Sequence, residues 1–148
     1  ERLCAGFGFS CGLRSQGEQV TGKAVYLLDT LGELAGFYAV SDAAFIGGSL
    51  MPFGGHNPLE AVALGVPTCW GTHFFNFLEI ETVLLELPSC AKIQSELDLA
   101  RFLRLNLDKS NHDSKSNTAA KIADLQLGTS GRIAAALLRM LDDGLSAK

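Results

Sequence analysis

Three short apolar runs, residues 24–28, 43–46 and 66–70, each pass through a turn into a stretch whose apolar residues recur at helical spacing. The first (Ala-Val-Tyr-Leu-Leu) ends in Asp29-Thr30 and leads into residues 32–40, where Leu34, Phe37 and Tyr38 share one helical face. The second (Ala-Ala-Phe-Ile) closes on Gly47-Gly48 and leads through residues 49–56 to a helix expected from Asn57 to Gly65. The third (Val-Pro-Thr-Cys-Trp) tolerates Pro67 only near its start. It precedes a helix over 76–87, marked by Phe77, Ile80, Val83, Leu84 and Leu87. A short fourth strand is expected over 91–93, then a helix over 97–107. Runs this short and this apolar suit strands buried on both sides. Strand–helix alternation at this tempo predicts an α/β fold, a Rossmann-like parallel sheet with helices on both faces.

The flanks are less informative. Residues 1–23 are glycine-rich and weakly patterned, and a short helix or irregular segment is expected there. Residues 108–117 form the one strongly polar stretch, read as a loop in which His112 is solvated. Helices are expected over 118–127 and 130–143, the latter striped by Ile133, Leu137, Leu138 and Leu141. All 148 residues fit one domain, and 47% hydrophobic against 19% charged suits a compact soluble one.

Charge narrows the partners. A net charge of −4, with twelve Lys and Arg thinly scattered, excludes a nucleic acid as partner. It does not exclude one phosphate held by backbone N–H groups. Cys4, Cys11, Cys69 and Cys90 form no C-x-x-C pair, and with three histidines they show no zinc spacing, so no metal is expected. They read as small buried hydrophobes in a reducing compartment. No stretch approaches the ~20 apolar residues of a membrane span. The opening Glu1-Arg2-Leu3-Cys4 has neither a start methionine nor a signal-peptide layout, as expected of a piece of a longer protein.

Ligands of open parallel sheets bind at the carboxyl ends of strands, in the loops that enter helices. Two such loops stand out: residues 29–34, and residues 47–60 with Gly54-Gly55-His56-Asn57-Pro58-Leu59-Glu60 at the end. A glycine pair lets a ligand approach the backbone, and the first N–H groups of the following helix are unsatisfied and partly positive. Glu60, one turn into that helix, could take two ribose hydroxyls. Other readings stand beside these. Asn57-x-x-Glu60 with Pro58 at the first helical position is equally a capping box, and Thr30-x-x-Glu33 a second. His56 is either satisfied by backbone or a phosphate contact. The glycine pair is a binding loop or only a tight turn. His73 and Asn76 belong to the same cleft or cap the next helix.

The pattern made by Asp29-Thr30-Leu31-Gly32-Glu33-Leu34, Phe37-Tyr38, residues 41–50 (Ser-Asp-Ala-Ala-Phe-Ile-Gly-Gly-Ser-Leu) and residues 54–60 closely resembles that of the 3-deoxy-D-manno-octulosonic acid (Kdo) transferases. Gly65-Val66-Pro67, Gly71-Thr72-His73 and Asn76-Phe77-Leu78-Glu79-Ile80 keep the register. Arg14-Ser15 with Gly17-Glu18 also resembles the family's segment upstream of the first loop. The resemblance runs from about residue 14 to 80, over half the chain.

It implies the C-terminal half of a GT-B glycosyltransferase, in which two Rossmann-like domains face each other. It also implies inverting, metal-independent transfer of Kdo from CMP-Kdo to a lipid A precursor in lipopolysaccharide assembly, with no cofactor. By residue matching, Leu31, Gly32, Glu33, Gly54, Gly55, His56 and Asn57 would line the CMP pocket. Glu60 would hold the ribose, and Ser49 would help with the phosphate. The acceptor, the catalytic acid/base and docking to the cytoplasmic face of the inner membrane belong to the family's N-terminal domain. No catalytic residue is therefore assigned here, and the fragment alone is expected to be inactive. The family's basic loop and first strands would lie upstream of Glu1, leaving a sheet edge that invites self-association.

Departures are Ala61 and Thr72, where the family often has proline, and Leu28 and Leu31, where glycine and methionine are commoner. The competing readings are a GT-B domain using a UDP-sugar, as in UDP-sugar transferases or non-hydrolysing epimerases, and an inert folding unit.

Overall fold

A computed structural model describes residues 1–108. The helices expected over 118–127 and 130–143, and all but the first residue of the polar stretch, lie outside the described residues. The chain divides into two compact units, Glu1–Val40 and a second that begins at Ser41. Among the described residues no helix is long and apolar enough to cross a membrane.

In the first unit, helix α1 (Arg2–Gly6) precedes strand β1 (Cys11–Leu13), which lies parallel to β2 (Val25–Leu27) with Gly12 opposite Tyr26. Helix α2 (Leu34–Ala39) follows. β1 was not expected from the sequence, because Cys-Gly-Leu is three residues long, contains a glycine and shows no period. Parallel strands need a long connection, and residues 14–24 supply it without a helix. Side chains pin that connection down. Tyr26 donates its hydroxyl to the Glu18 carbonyl at 2.8 Å, while Lys23 reaches the Cys11 carbonyl at 3.1 Å and pairs with the Glu18 carboxylate. The Tyr26 and Phe37 rings stack at 6.1 Å, seating α2 on β2.

The second unit carries β3 (Ala44–Ile46), α3 (Leu59–Ala63), β4 (Thr68–Trp70), a 3₁₀ turn (Phe75–Phe77), α4 (Leu78–Leu84), β5 (Cys90–Lys92) and α5 (Glu96–Leu107). Its three strands are parallel in the order β3-β4-β5, with Ile46 opposite Trp70 and Trp70 opposite Lys92. The central strand β4 is buried throughout, as its unbroken apolar run predicts. Of the four cysteines only Cys69, on that strand, is fully buried; the other three are half-buried. The core gathers Ile46, Val62, Trp70, Phe74, Leu84 and Leu87. Within it Trp70 stacks on Phe74 at 5.0 Å and Phe74 meets Phe77 at 5.3 Å, spacings at which aromatic pairs attract beyond their buried area.

A buried carboxylate must be paired, and Glu81 on α4 is. It accepts from Trp70 Nε1 at 2.8 Å and from Lys92 Nζ at 3.0 Å. Ser95 caps α5 by accepting from the Asp98 amide at 3.2 Å, while Asp98 reaches back to the Gln94 amide at 3.2 Å. This reciprocal cap differs from the two singled out above. The α/β class with parallel strands is as expected. Helix α3 is shorter than its expected span, starting two residues after Asn57 and closing with the Gly65 amide on the Val62 carbonyl at 2.9 Å.

Candidate functional site

The loop leaving β3 doubles back on itself. The Gly55 amide donates to the Gly48 carbonyl at 2.9 Å, and the His56 amide to the Gly47 carbonyl at 3.3 Å. These two N–H groups are therefore spent within the loop, which corrects the expectation that the amides of this stretch face a ligand as a set. Gly54 and Gly55 have φ of +92° and +76°, a region that other residues enter only at a cost. A Cβ on Gly55 would lie 2.5 Å from the Phe74 ring, and one on Gly54 would lie 2.6 Å from the Asn76 carboxamide carbon. The glycine pair is needed for both the turn and the close packing.

A second set of bonds ties this loop to the one after β4. Ser49 is fully buried; its hydroxyl donates to the Ile46 carbonyl and accepts from the Gly71 amide at 2.8 Å. The role expected of Ser49 at a phosphate is corrected accordingly, because its hydroxyl is sealed inside and its donor is spent. The Ser49 carbonyl takes the His73 amide at 2.8 Å, and the Gly54 carbonyl takes the Asn76 amide at 3.2 Å. Gly71 has no room for a side chain, since a Cβ there would press into the Ser49 backbone.

What this scaffold presents to solvent is the mouth of α3. His56, Asn57 and Glu60 are exposed. Asn57 Oδ1 accepts from the Leu59 amide at 3.0 Å, an i→i+2 Asx turn ahead of a helix whose N-cap is Pro58, without a side-chain cap. Neither half of the expected capping box is made. Among the described residues, the Glu60 carboxylate and the backbone amides of Asn57 and Glu60 have no hydrogen-bond partner. An unpaired acceptor beside unpaired donors at a helix start can take a polyhydroxylated anion.

The other expected loop lies in the first unit and is built differently. Leu31 is fully exposed, and Gly32 turns the chain at φ +84°. Glu33 does not reach back to cap α2. Its carboxylate is gripped by Arg14, with Nε at 3.0 and 3.1 Å from the two oxygens and Nη2 at 2.6 Å, and it accepts from Thr30 Oγ1 at 2.5 Å. Those bonds, Arg14's first, hold the Glu33 carboxyl down to about 2. The same pairing, with a smaller contribution from Tyr26, raises the Arg14 guanidinium. Next to it, Ser15 clasps Asp29 through its amide at 2.8 Å and its hydroxyl at 2.6 Å, which lowers the Asp29 carboxyl. Glu33 as a ligand would have to share its carboxylate with Arg14.

The expected residues thus fall into two sets, Leu31, Gly32 and Glu33 in the first unit, and Ser49 with Gly54 through Glu60 in the second. Sequence reasoning missed the Arg14–Glu33 clamp and the tie made by Asn76. Neither has a local signal, because the partners stand 19 and 21 residues apart.

Comparison with known proteins gives the architecture a lineage. No protein-family model matches the chain. A 3-deoxy-D-manno-octulosonic acid transferase of Haemophilus influenzae is 47% identical over 74 residues, half of this chain and 17% of that protein. A probable mitochondrial enzyme of the same name from Arabidopsis thaliana is 36% identical over 105 residues, 68% of this chain and 24% of that protein. The crystal structure of the C-terminal CMP-Kdo binding domain of WaaA from Acinetobacter baumannii superposes with a TM-score of 0.73 at 31% identity, covering 82% of this chain and 65% of that one. This chain is homologous to the Kdo transferases. The chain spans well under a third of the length of the full Kdo transferases named here. A Kdo-transferase relative with a parallel Rossmann-like architecture agrees with the class read from its three apolar runs.

Proposed function

We propose that this chain is the donor-binding domain of a Kdo transferase and takes CMP-Kdo at the mouth of α3. The observation that carries the reading is Glu60, exposed and without a protein partner among the described residues, where a purely structural capping box would have turned it back on Asn57. Its carboxylate accepts the two ribose hydroxyls of the nucleotide. The open amides of Asn57 and Glu60 face the phosphate, and the His56 side chain borders it.

In the parent enzyme the Kdo group moves to a lipid A precursor, and CMP departs with its phosphate charge. Fixed backbone dipoles at that phosphate stabilise the charge without reorganising. The transfer is inverting and needs no metal. The acid/base group comes from the acceptor-binding domain, which sits at the cytoplasmic face of the inner membrane, so this chain alone turns nothing over.

Calorimetric titration with CMP, UMP and GMP tests the reading. CMP is expected to bind most tightly. Glu60→Ala should weaken it about tenfold, in line with the loss of hydrogen bonds to a charged group, while leaving the melting temperature nearly unchanged. Equal responses to all three nucleotides would sink the assignment. So would a Glu60→Ala variant that melts earlier yet binds CMP as before.

A further inference from the structure

The glycine loop is locked from outside its own segment, by a residue of the loop after β4. We infer that Asn76 is a positioning residue for the α3 mouth, holding the Gly54-Gly55 turn in the geometry that presents Asn57 and Glu60. Three contacts converge on it. Its backbone amide donates to the Gly54 carbonyl at 3.2 Å. Its side-chain Nδ2 points between the carbonyls of Gly55, at 3.4 Å, and Phe53, at 3.5 Å. Its carboxamide also fills the space left by the missing Gly54 side chain, where a Cβ would lie 2.6 Å from Cγ and 2.7 Å from Oδ1.

Each side-chain bond is long and weak, but the arrangement is specific. One planar donor bridges two carbonyls on either side of the Gly54–Gly55 peptide. The Gly55 and His56 amides close the same turn from inside, through Gly48 and Gly47. The loop is therefore held on both sides. Asn76 is the side reached from β4, so the β4–α4 segment sets the shape of the β3–α3 site. A helix-capping role does not account for this, since the 3₁₀ turn over Phe75–Phe77 has no side-chain cap and Asn76 lies inside it.

The effect on nucleotide binding rests on the CMP reading; the effect on loop geometry does not. Asn76→Asp keeps the shape and removes the Nδ2 donor. In the full chain at about pH 7.5 it is expected to shift the amide NMR signals of Gly54 and Gly55 and to weaken CMP by about three- to tenfold, the loss expected for one to two hydrogen bonds. The melting temperature should hardly move. As pH falls from about 7.5 to about 3.5, through the ordinary aspartate range at about 3.9, the new carboxyl becomes protonated and regains a donor. The affinity ratio of variant to wild type should then recover, which a merely structural role would not produce.

Unmoved Gly54 and Gly55 signals would overturn the inference, as would moved signals with unchanged CMP affinity. If the wild-type chain binds no CMP, the donor-site reading fails by itself, and the two glycine signals still decide whether Asn76 holds the turn.

Discussion

Two loops of the same chain, both following a strand and both with an acid three residues past a Thr or Asn, are held in opposite ways. The loop over 47–58 is tied by backbone bonds to its own glycines and to the segment after β4, around the fully buried Ser49. The loop over 29–33 is tied by charge, through an Arg14–Glu33 pair whose side chains are 44% and 36% exposed. Buried, geometrically fixed bonds survive salt and pH; a surface ion pair contributes little and is screened. The first loop is thus rigid and leaves its acid, Glu60, open. The second occupies its acid, Glu33.

The strongest way to break the contrast is to force a side chain into the buried loop. Gly71→Ala drives a Cβ against the Ser49 backbone, which no rotamer can relieve. Overpacking of this kind should destabilise by about 3 kcal/mol, seen as a lower urea midpoint in the full chain. An unchanged midpoint would mean that the two loops of the second unit are not pressed together.

Next comes Ser49→Ala, which leaves the Gly71 amide without its buried acceptor. The expected loss is about 1–3 kcal/mol, measured the same way, with CMP affinity changing only as far as the loop loosens. A selective loss of CMP binding at full stability would instead restore Ser49 to the phosphate.

The smallest effect belongs to the charged loop. Arg14→Gln should leave the global unfolding midpoint unmoved and act locally. Glu33 is held at about 2, below the ordinary 4.5. Its contribution is therefore fully present above about pH 4.5 and is lost as pH falls toward 2. Side-chain carboxyl NMR should show Glu33 titrating near 2 in the wild type and closer to 4.5 in the Arg14→Gln variant. Titration at the ordinary value in both would mean that the clamp does not form in solution.

What the sequence by itself determined is the order of elements and the class. Residues 24–28, 43–46 and 66–70 could be read as buried strands because each is apolar, short and closed by turn residues, and all three frame observed strands. That signal is local; the burial it implies is complete only in β4, while β2 is half-buried along its length and β3 at its middle residue. β1 was not legible, since Cys-Gly-Leu carries no period to read.

Tertiary structure alone decided what each acid and each polar loop residue does. Thr30-x-x-Glu33 and Asn57-x-x-Glu60 look alike on paper. Arg14, 19 residues away, claims Glu33, while nothing among the described residues claims Glu60. Ser49 could pass for a phosphate ligand until Gly71, 22 residues on, is seen donating to it. A hydrogen bond is a relation between two groups. Which group a side chain meets depends on how distant segments are brought together, and no local pattern records that.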